Sequence, residues 1–327
     1  MEKICFRTEI QPFDKNIFIN HRQKLLFLGS CFAENIGEKL IVNKFNVLLN
    51  PFGILFNPAS IAQSINFLIS KKEFFEEELI NYHDQWLSFN HHSNFYHDNK
   101  QDCLNHINTI LLKGKKYLYT ADYILITLGS SIVYRLKSTN CIVANCHKFP
   151  SESFNKTHLT STESTRLLTE AIGNLRLINP SIKIIFTLSP VRYIKDDFIE
   201  NSLSKANLRV AINELQNKFS DIFYFPAYEI MMDDLRDYRF YNQDLIHPSP
   251  LAIDYIWHYF SQSYFNSETL SINSMVNDIT HAYQHRLKNP ESEESKKFKK
   301  NSLTNIIALI TKYQFLNFEK EISYFTE

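Results

Sequence analysis

Apolar runs of strand length alternate with segments of helical periodicity along most of the chain. The runs lie at 25–28, 45–49, 123–128, 182–188 and 222–225, and Gly, Pro or Ser follows each one closely. Runs of this length that end at turn residues predict strands, and apolar residues three and four positions apart predict the helices between them. Because strands and helices alternate, we expect the α/β fold class, with a parallel sheet between two helical layers (three-layer α/β/α).

The last part of the chain loses this alternation. Residues 270–327 are predicted to be mostly helical, with a break at the charged stretch 289–300. We therefore expect an α/β/α domain over 1–265 and a helical C-terminal extension over 266–327 packed on it. A stretch rich in aromatic residues and histidines, near 72–100, has no clear period and is expected to be an insertion in the first domain.

Ser30 lies at the turn that follows the first predicted strand, within the segment KLLFLGSCFAENIGEKL. At that place a hydroxyl is presented beside a helix N-terminus, where free N–H groups stabilise an anion or a developing oxyanion. Ligands of open α/β sheets also bind at the carboxyl ends of strands. Serine is equally a preferred helix cap, so a purely structural role for Ser30 stays open.

Asp244 and His247 form the second candidate element. An Asp three residues before a His, on a loop closed by Pro248, can accept a hydrogen bond from the ring Nδ1–H and leave Nε2 free to take a proton from a hydroxyl. A serine hydroxyl is a weak nucleophile without such a base. The alternative is an exposed loop with an incidental Asp–His pair, because only the predicted fold brings Ser30 and His247 together.

Composition limits the location and the partners. Lys+Arg and Asp+Glu both number 35, so no net charge points to nucleic acid or a membrane surface. Five cysteines, at 5, 31, 103, 141 and 146, show no disulfide framework and fit a reducing compartment. Residues 1–14 have no apolar core of signal-peptide length, and no apolar run is long enough to span a membrane. We expect a cytoplasmic protein.

Other chemistry is less well supported by the spacing. Cys103 with His106, and Cys141 with Cys146 and His147, are soft ligands, but their spacings do not match common zinc sites, so we expect no metal and no cofactor.

Three further features have alternative interpretations. Cys31 is a second possible nucleophile, although as the first helical residue it is expected to point elsewhere. Arg192, which follows a strand, either contacts an anionic substrate or is a surface arginine. The aromatic residues at 82–97 either line a sugar-binding cleft or pack against the sheet edge.

Five segments resemble one known family. Gly29–Ala33 spells the motif that names the GSCFA family, and four more segments resemble that family in order: Asn50–Gly53 with Asn57-Pro58, Val143–Lys148, Ser189–Arg192 and Asp244–Pro248. The resemblance covers about residues 24–260. The family is similar to the SGNH hydrolases (GDSL-like esterases), a flavodoxin-like α/β/α group of serine esterases and acyl hydrolases, and this fold is what the resemblance implies.

The resemblance also implies roles for individual residues. Ser30 matches the nucleophile, Asp244 and His247 match the Asp-x-x-His block, and Gly53 matches the glycine whose N–H helps to form the oxyanion hole. The block that usually reads Gly-x-Asn-Asp is 129–132 here, GSSI, so its asparagine is absent. Either Asn145 or Ser131 is expected to replace it in the oxyanion hole.

The implied activity is ester hydrolysis of a small-molecule or carbohydrate ester, for example removal of an acetyl group from a sugar, with Arg192 and His147 as substrate-binding residues. Two alternatives stay open: an acyltransferase that uses the same residues, and a non-catalytic carbohydrate-binding module. None of the three needs a nucleic acid, a membrane or a cofactor.

Overall fold

The computed structural model describes residues 7–11, 17–195 and 197–326. These residues form two compact units, which are described separately. The first unit holds 7–11, 24–37, 47–195 and 197–256, and the second holds 17–23, 38–46 and 257–326.

The strands in the described residues are short, and each of the five apolar runs that predicted a strand corresponds to one. They are β1 (Lys24–Gly29), β2 (Asn46–Leu49), β3 (Ile80–Tyr82), β4 (Gln85–Leu87), β5 (Tyr123–Leu128), β6 (Ile132–Leu136), β7 (Ile142–Val143), β8 (Phe154–His158), β9 (Lys183–Leu188) and β10 (Ile222–Phe225).

The helices occupy most of the remaining chain. They are α1 (Cys31–Val42), α2 (Pro58–Ile69), α3 (Lys100–Leu118), α4 (Ser161–Ile178), α5 (Phe198–Lys218), α6 (Ala227–Glu229), α7 (Pro250–Tyr264), α8 (Ser267–Gln284), α9 (Glu293–Lys312) and α10 (Glu319–Thr326).

Five strands form the central sheet, in the order β10-β9-β5-β1-β2. The pairs β10–β9, β9–β5 and β5–β1 are parallel, and the register sets Gly29 beside Thr127 and Thr127 beside Thr187. The carboxyl ends of these strands therefore lie at one edge of the sheet, and so do the loops that follow them. The predicted α/β fold with a parallel sheet flanked by helices is confirmed.

Both faces of the sheet are buried. Leu28, Ile126 and Phe186, which are neighbours across three strands, join side chains of α2, α3, α4 and α5 in one apolar cluster. Phe27 and Leu125, which point to the opposite face, are buried as well. Burial on both faces explains why these strands are continuous apolar runs rather than alternating ones.

The sequence suggested short extended pieces at 86–89 and 142–144 but did not predict that they pair into two small antiparallel sheets. One has the order β7-β6-β8, and the other is the hairpin β3–β4 within the aromatic stretch 72–100. These strands have two to five residues, and β8 exposes its three central residues. Segments this short and this polar carry no clear period-2 signal.

On the sequence alone Thr162 is a plausible cap for helix α4, but the cap lies two positions earlier. Thr160 caps this helix: its Oγ accepts a hydrogen bond from the N–H of Glu163 at 3.1 Å, and the Glu163 carboxylate accepts one from the N–H of Thr160 at 2.8 Å. This reciprocal capping box requires a Glu or Gln three residues after the cap, which Thr162 lacks.

The second unit is helical, and α8, α9 and α10 share an apolar core that includes Val276 and Ile306. The predicted break at 289–300 is mostly absent, because α9 begins at Glu293 behind a Ser292 cap. The charged residues occupy its exposed first turns. The domain division at 265 and the packing of the extension stay predictions. No helix in the described residues has the length and apolarity needed to cross a membrane.

Candidate active site

A cavity of about 520 Å³ lies at the carboxyl edge of the central sheet. Its walls come from the loops that follow three parallel strands, from the loop after β2 and from the loop ahead of α7. The lining residues are Ser30 and Cys31 after β1, Ile54 and Phe56 after β2, Gly129 and Ser130 after β5, Ser189 and 191–195 after β9, and Ile246 and His247.

Ser30 is both a helix cap and a wall residue of the cavity. Its Oγ accepts a hydrogen bond from the N–H of Phe32 at 3.3 Å, and its own N–H donates to the carbonyl of Thr127 at 3.2 Å. The preceding Gly29 allows this position, because a Cβ there would lie 2.6 Å from the Thr127 oxygen. The side-chain oxygen of Asn50 accepts from the Gly29 N–H at 2.9 Å, which fixes the turn from the other side.

Asp244 and His247 form the predicted pair. The ring Nδ1–H donates to Asp244 Oδ2 at 2.7 Å, while Oδ1 accepts from the N–H groups of Ile246 and His247, both at 2.9 Å. These backbone bonds, and then the ring, lower the pKa of the Asp244 carboxyl to about 2. The tight turn requires a positive φ of 58° at Leu245. The ring is held in the tautomer that leaves Nε2 able to accept a proton.

The structure brings Ser30 and His247 together in this cavity, with Asp244 bonded behind the imidazole. The Asp and His side chains are each 46% exposed, so the pair is open to water. A substrate that fills the cavity removes some of this water and strengthens the Asp–His interaction.

Gly53 shapes the loop between β2 and α2 instead of lining the cavity. Its N–H donates to the Asn50 carbonyl at 2.7 Å, and its φ is +73°, which favours glycine. A Cβ on Gly53 would lie 2.3 Å from the Cβ of His92. The loop is tied to the site because the carbonyl of Phe56 accepts from the N–H groups of Gly129 and Ser130. The oxyanion role of Gly53 stays a prediction, and its N–H is engaged elsewhere.

Ser131 is also absent from the cavity wall. It is fully buried, its N–H donates to Ser204 Oγ at 2.7 Å, and its own Oγ lies 3.2 Å from His158 Nδ1. Its neighbour Ser130 is the residue of this block that reaches the cavity.

Asn145 and His147 bind other parts of the fold. Asn145 Oδ1 accepts from the N–H of His147 at 2.8 Å. The His147 ring donates through Nε2 to the Ser88 carbonyl at 2.9 Å and accepts at Nδ1 from the Tyr96 hydroxyl at 2.8 Å. Burial lowers the pKa of this imidazole to about 4, so the ring is neutral near pH 7. Neither residue lines the cavity, and their oxyanion and substrate roles stay predictions.

One face of α5 supports two cavity loops, and sequence reasoning missed it. Asn201 Oδ1 accepts from the N–H of Tyr193 at 2.9 Å, Ser204 Oγ accepts from the N–H of Ser131, and the Lys205 ammonium donates to the Ser189 carbonyl at 2.7 Å. Lys205 is 3% exposed, and burial lowers its pKa to about 7. Asn201, Ser204 and Lys205 are spaced i, i+3 and i+4, and this polar face of the helix was the feature of the sequence that could have indicated a supporting role.

The cysteines near the cavity differ from catalytic thiols. Burial raises the pKa of the Cys31 thiol, which makes its thiolate scarce. Cys31, Cys103, Cys141 and Cys146 are free. Within the described ranges, no group of three or more His, Cys, Asp or Glu side chains is arranged to hold a metal ion.

Solved structures with some likeness include three named proteins. One from Bacteroides fragilis NCTC 9343, described as an acylhydrolase, is 10% identical with a TM-score of 0.37, covering 80% of this chain and 92% of that one. A carbohydrate esterase family 3 from Talaromyces cellulolyticus is 9% identical with a TM-score of 0.36, covering 78% and 99%. The acetyl xylan esterase Est2A from Butyrivibrio proteoclasticus is 10% identical with a TM-score of 0.36, covering 81% and 66%. Likeness at this level supports no conclusion about activity.

Comparison with curated proteins gives no match. Two family models match this chain. The model of the GSCFA family matches residues 24–260, and that of the GSCFA domain protein, C-terminal domain, matches 276–327. The first match spans the central sheet, the cavity and all three residues of the Ser–His–Asp set. The chain therefore belongs to the GSCFA family.

Proposed function

We propose that the protein is a serine-dependent ester hydrolase. The observation that carries this proposal is that Ser30 and His247 line one cavity while Asp244 orients the imidazole at 2.7 Å. A hydroxyl, a base and a carboxylate that orients the base are the set that nucleophilic acyl transfer requires.

The reaction proceeds in two halves. Ser30 Oγ attacks the ester carbonyl carbon while His247 Nε2 takes the hydroxyl proton, and the imidazolium is stabilised by Asp244. The imidazolium then donates this proton to the alkoxide, which departs as the alcohol. The acyl group remains bonded to Ser30 Oγ. In the second half His247 takes a proton from water, the hydroxide attacks the acyl carbon, and Ser30 recovers its proton as the acid leaves.

The oxyanion is stabilised at the N-terminus of α1. The N–H of Cys31, the first residue of this helix, makes no hydrogen bond to an oxygen within the described residues. An N–H that has no oxygen acceptor, beside the nucleophile and at the positive end of a helix, is suited to a developing oxyanion. This assignment differs from the expectation of Gly53, Asn145 or Ser131, since none of these three residues lines the cavity.

A second candidate is a binding module without catalysis. The engaged N–H groups of Ser30 and Gly53 favour it, because they leave fewer donors for an oxyanion. For the hydrolase and for the binding module alike, a carbohydrate ester is one member of the expected ligand class. The cytoplasmic location stays a prediction.

Steady-state hydrolysis of para-nitrophenyl acetate, butyrate and hexanoate tests the proposal. Ser30→Ala and His247→Ala are each expected to remove nearly all activity, and the double variant to lose little more, because the two groups act as one unit. Strictly additive losses, or turnover that persists in folded Ser30→Ala, would contradict a serine hydrolase. Binding of esters without any turnover in wild type would favour the module.

A further inference from the structure

Arg192 lies in the cavity wall beside the loop that carries the Asp–His pair. One guanidinium nitrogen, Nη2, donates to the carbonyl of Leu245 at 3.2 Å, and the guanidinium stacks over the ring of Tyr241, 4.9 Å from its centroid. Nε is buried and makes no hydrogen bond in the described part of the chain. Only one of its five N–H donors therefore has an oxygen acceptor among the residues that the structure describes.

No described carboxylate neutralises this charge. Arg192 forms no ion pair within 4.0 Å with any described Asp or Glu, and none of the described lining residues is acidic. Lys195 adds a second positive charge to the same wall. The remaining lining is mainly apolar, with Ile54, Phe56 and Ile194 among its members. A cation beside an apolar wall, with aromatic rings but no described carboxylate as its partners, is suited to attract an anion into the cavity.

The loop that carries Arg192 is held from both ends by α5. The Lys205 ammonium donates to the carbonyl of Ser189, ahead of Arg192, and Asn201 accepts from the N–H of Tyr193, directly after it. The cation is thus positioned before any substrate arrives, and a ligand does not have to order it on binding.

We propose that the cavity selects esters that carry an oxygen anion such as a carboxylate, and that Arg192 binds this anion. An apolar wall accepts the hydrocarbon part of the substrate, while the planar guanidinium supplies parallel donors suited to a carboxylate. Because Arg192 is bonded to the loop of the base, the bound anion lies near the reacting ester. This inference rests on the proposed ester hydrolysis.

Two matched pairs of esters test it, since the anion can lie on either side of the ester bond. Para-nitrophenyl hexanoate is compared with the para-nitrophenyl monoester of adipic acid, which places a carboxylate on the acyl side. Phenyl acetate is compared with meta-acetoxybenzoate, which places it on the alcohol side. Each ester is assayed with wild type, Arg192→Gln, Arg192→Lys and the control Arg166→Gln, which removes the same charge from an exposed site on α4.

Wild type is expected to have the higher kcat/KM for the anionic member of at least one pair, chiefly through a lower KM. Arg192→Gln is expected to lower that kcat/KM by roughly 10- to 100-fold, with a much smaller change for the neutral partner. Arg192→Lys should keep part of the preference for the anionic ester, and Arg166→Gln should keep all of it. High salt should weaken this preference in wild type.

Three results would overturn the inference: preference for the neutral ester in both pairs, equal losses on both members in Arg192→Gln, or an unchanged preference in that variant. Equal losses would show that Arg192 acts only by holding the Leu245 carbonyl. If hydrolysis depends on Ser30 but shows no preference for an anion, only this inference fails. If hydrolysis does not depend on Ser30, the proposed function fails instead.

Discussion

Replacement of Lys205 with Met tests how much a buried ammonium destabilises the fold. The side chain is 3% exposed and donates one hydrogen bond, to the Ser189 carbonyl at 2.7 Å; its ammonium also lies 5.5 Å from the Tyr228 ring centroid. No described carboxylate lies within ion-pair distance. Methionine has a similar length and no charge, so Lys205→Met removes the charge with little change in packing volume.

The magnitude follows from the pKa of the amine, which burial lowers from 10.5 to about 7 in the folded state. Below about pH 7 the amine is charged in both states, and the full penalty applies. Between pH 7 and 10.5 the unfolded state binds the extra proton, so stability rises with pH by about 1.4 kcal/mol per pH unit, or about 5 kcal/mol in total.

The lost hydrogen bond acts in the opposite direction, because it leaves the Ser189 carbonyl unsatisfied at a cost of about 1–3 kcal/mol. Lys205→Met is therefore expected to be more stable than wild type by about 2–4 kcal/mol at neutral pH and less stable near pH 10.5. The two curves of stability against pH should cross.

Urea unfolding of both proteins at a series of pH values between 6.5 and 10.5 measures this difference. Lys218→Met, at the exposed end of the same helix, is the matched control and should show no such dependence. A difference between Lys205→Met and wild type that stays constant across this range would refute the reasoning, since it would mean that the amine has the same pKa in both states.

The remaining predictions concern the Ser–His–Asp set and its neighbour. Asp244→Asn keeps an acceptor for the two backbone N–H groups but presents an amide N–H₂ to the His247 ring, which favours the wrong tautomer. We expect kcat to fall by about 10²- to 10⁴-fold while the circular dichroism spectrum stays unchanged. A fall in kcat of less than about tenfold would argue against the role of Asp244. Cys31→Ala should retain most Ser30-dependent hydrolysis in the same ester assay, because burial keeps the thiol protonated. Complete loss of hydrolysis in a folded Cys31→Ala variant would indicate that Cys31 is the nucleophile.

The sheet could be predicted from the sequence because its strands are apolar runs bounded by turn residues. The same pattern predicted that Ser30 and His247 share one edge, since loops after parallel strands meet there. The hydrogen bonds of Gly53 and His147 could not be predicted. They depend on partners such as Ser88 that local periodicity does not place. Lys205 was missed because a lysine on a helix is normally exposed, and its spacing from Asn201 and Ser204 does not show that tertiary packing buries it.

The most direct test of the central claim is labelling of the folded protein with a fluorophosphonate probe, followed by peptide mapping with mass spectrometry. We expect one adduct, on Ser30, that disappears in Ser30→Ala and forms far more slowly in His247→Ala. An adduct on another residue, or none on protein that still hydrolyses esters, would contradict the proposal that Ser30 is a nucleophile activated by His247.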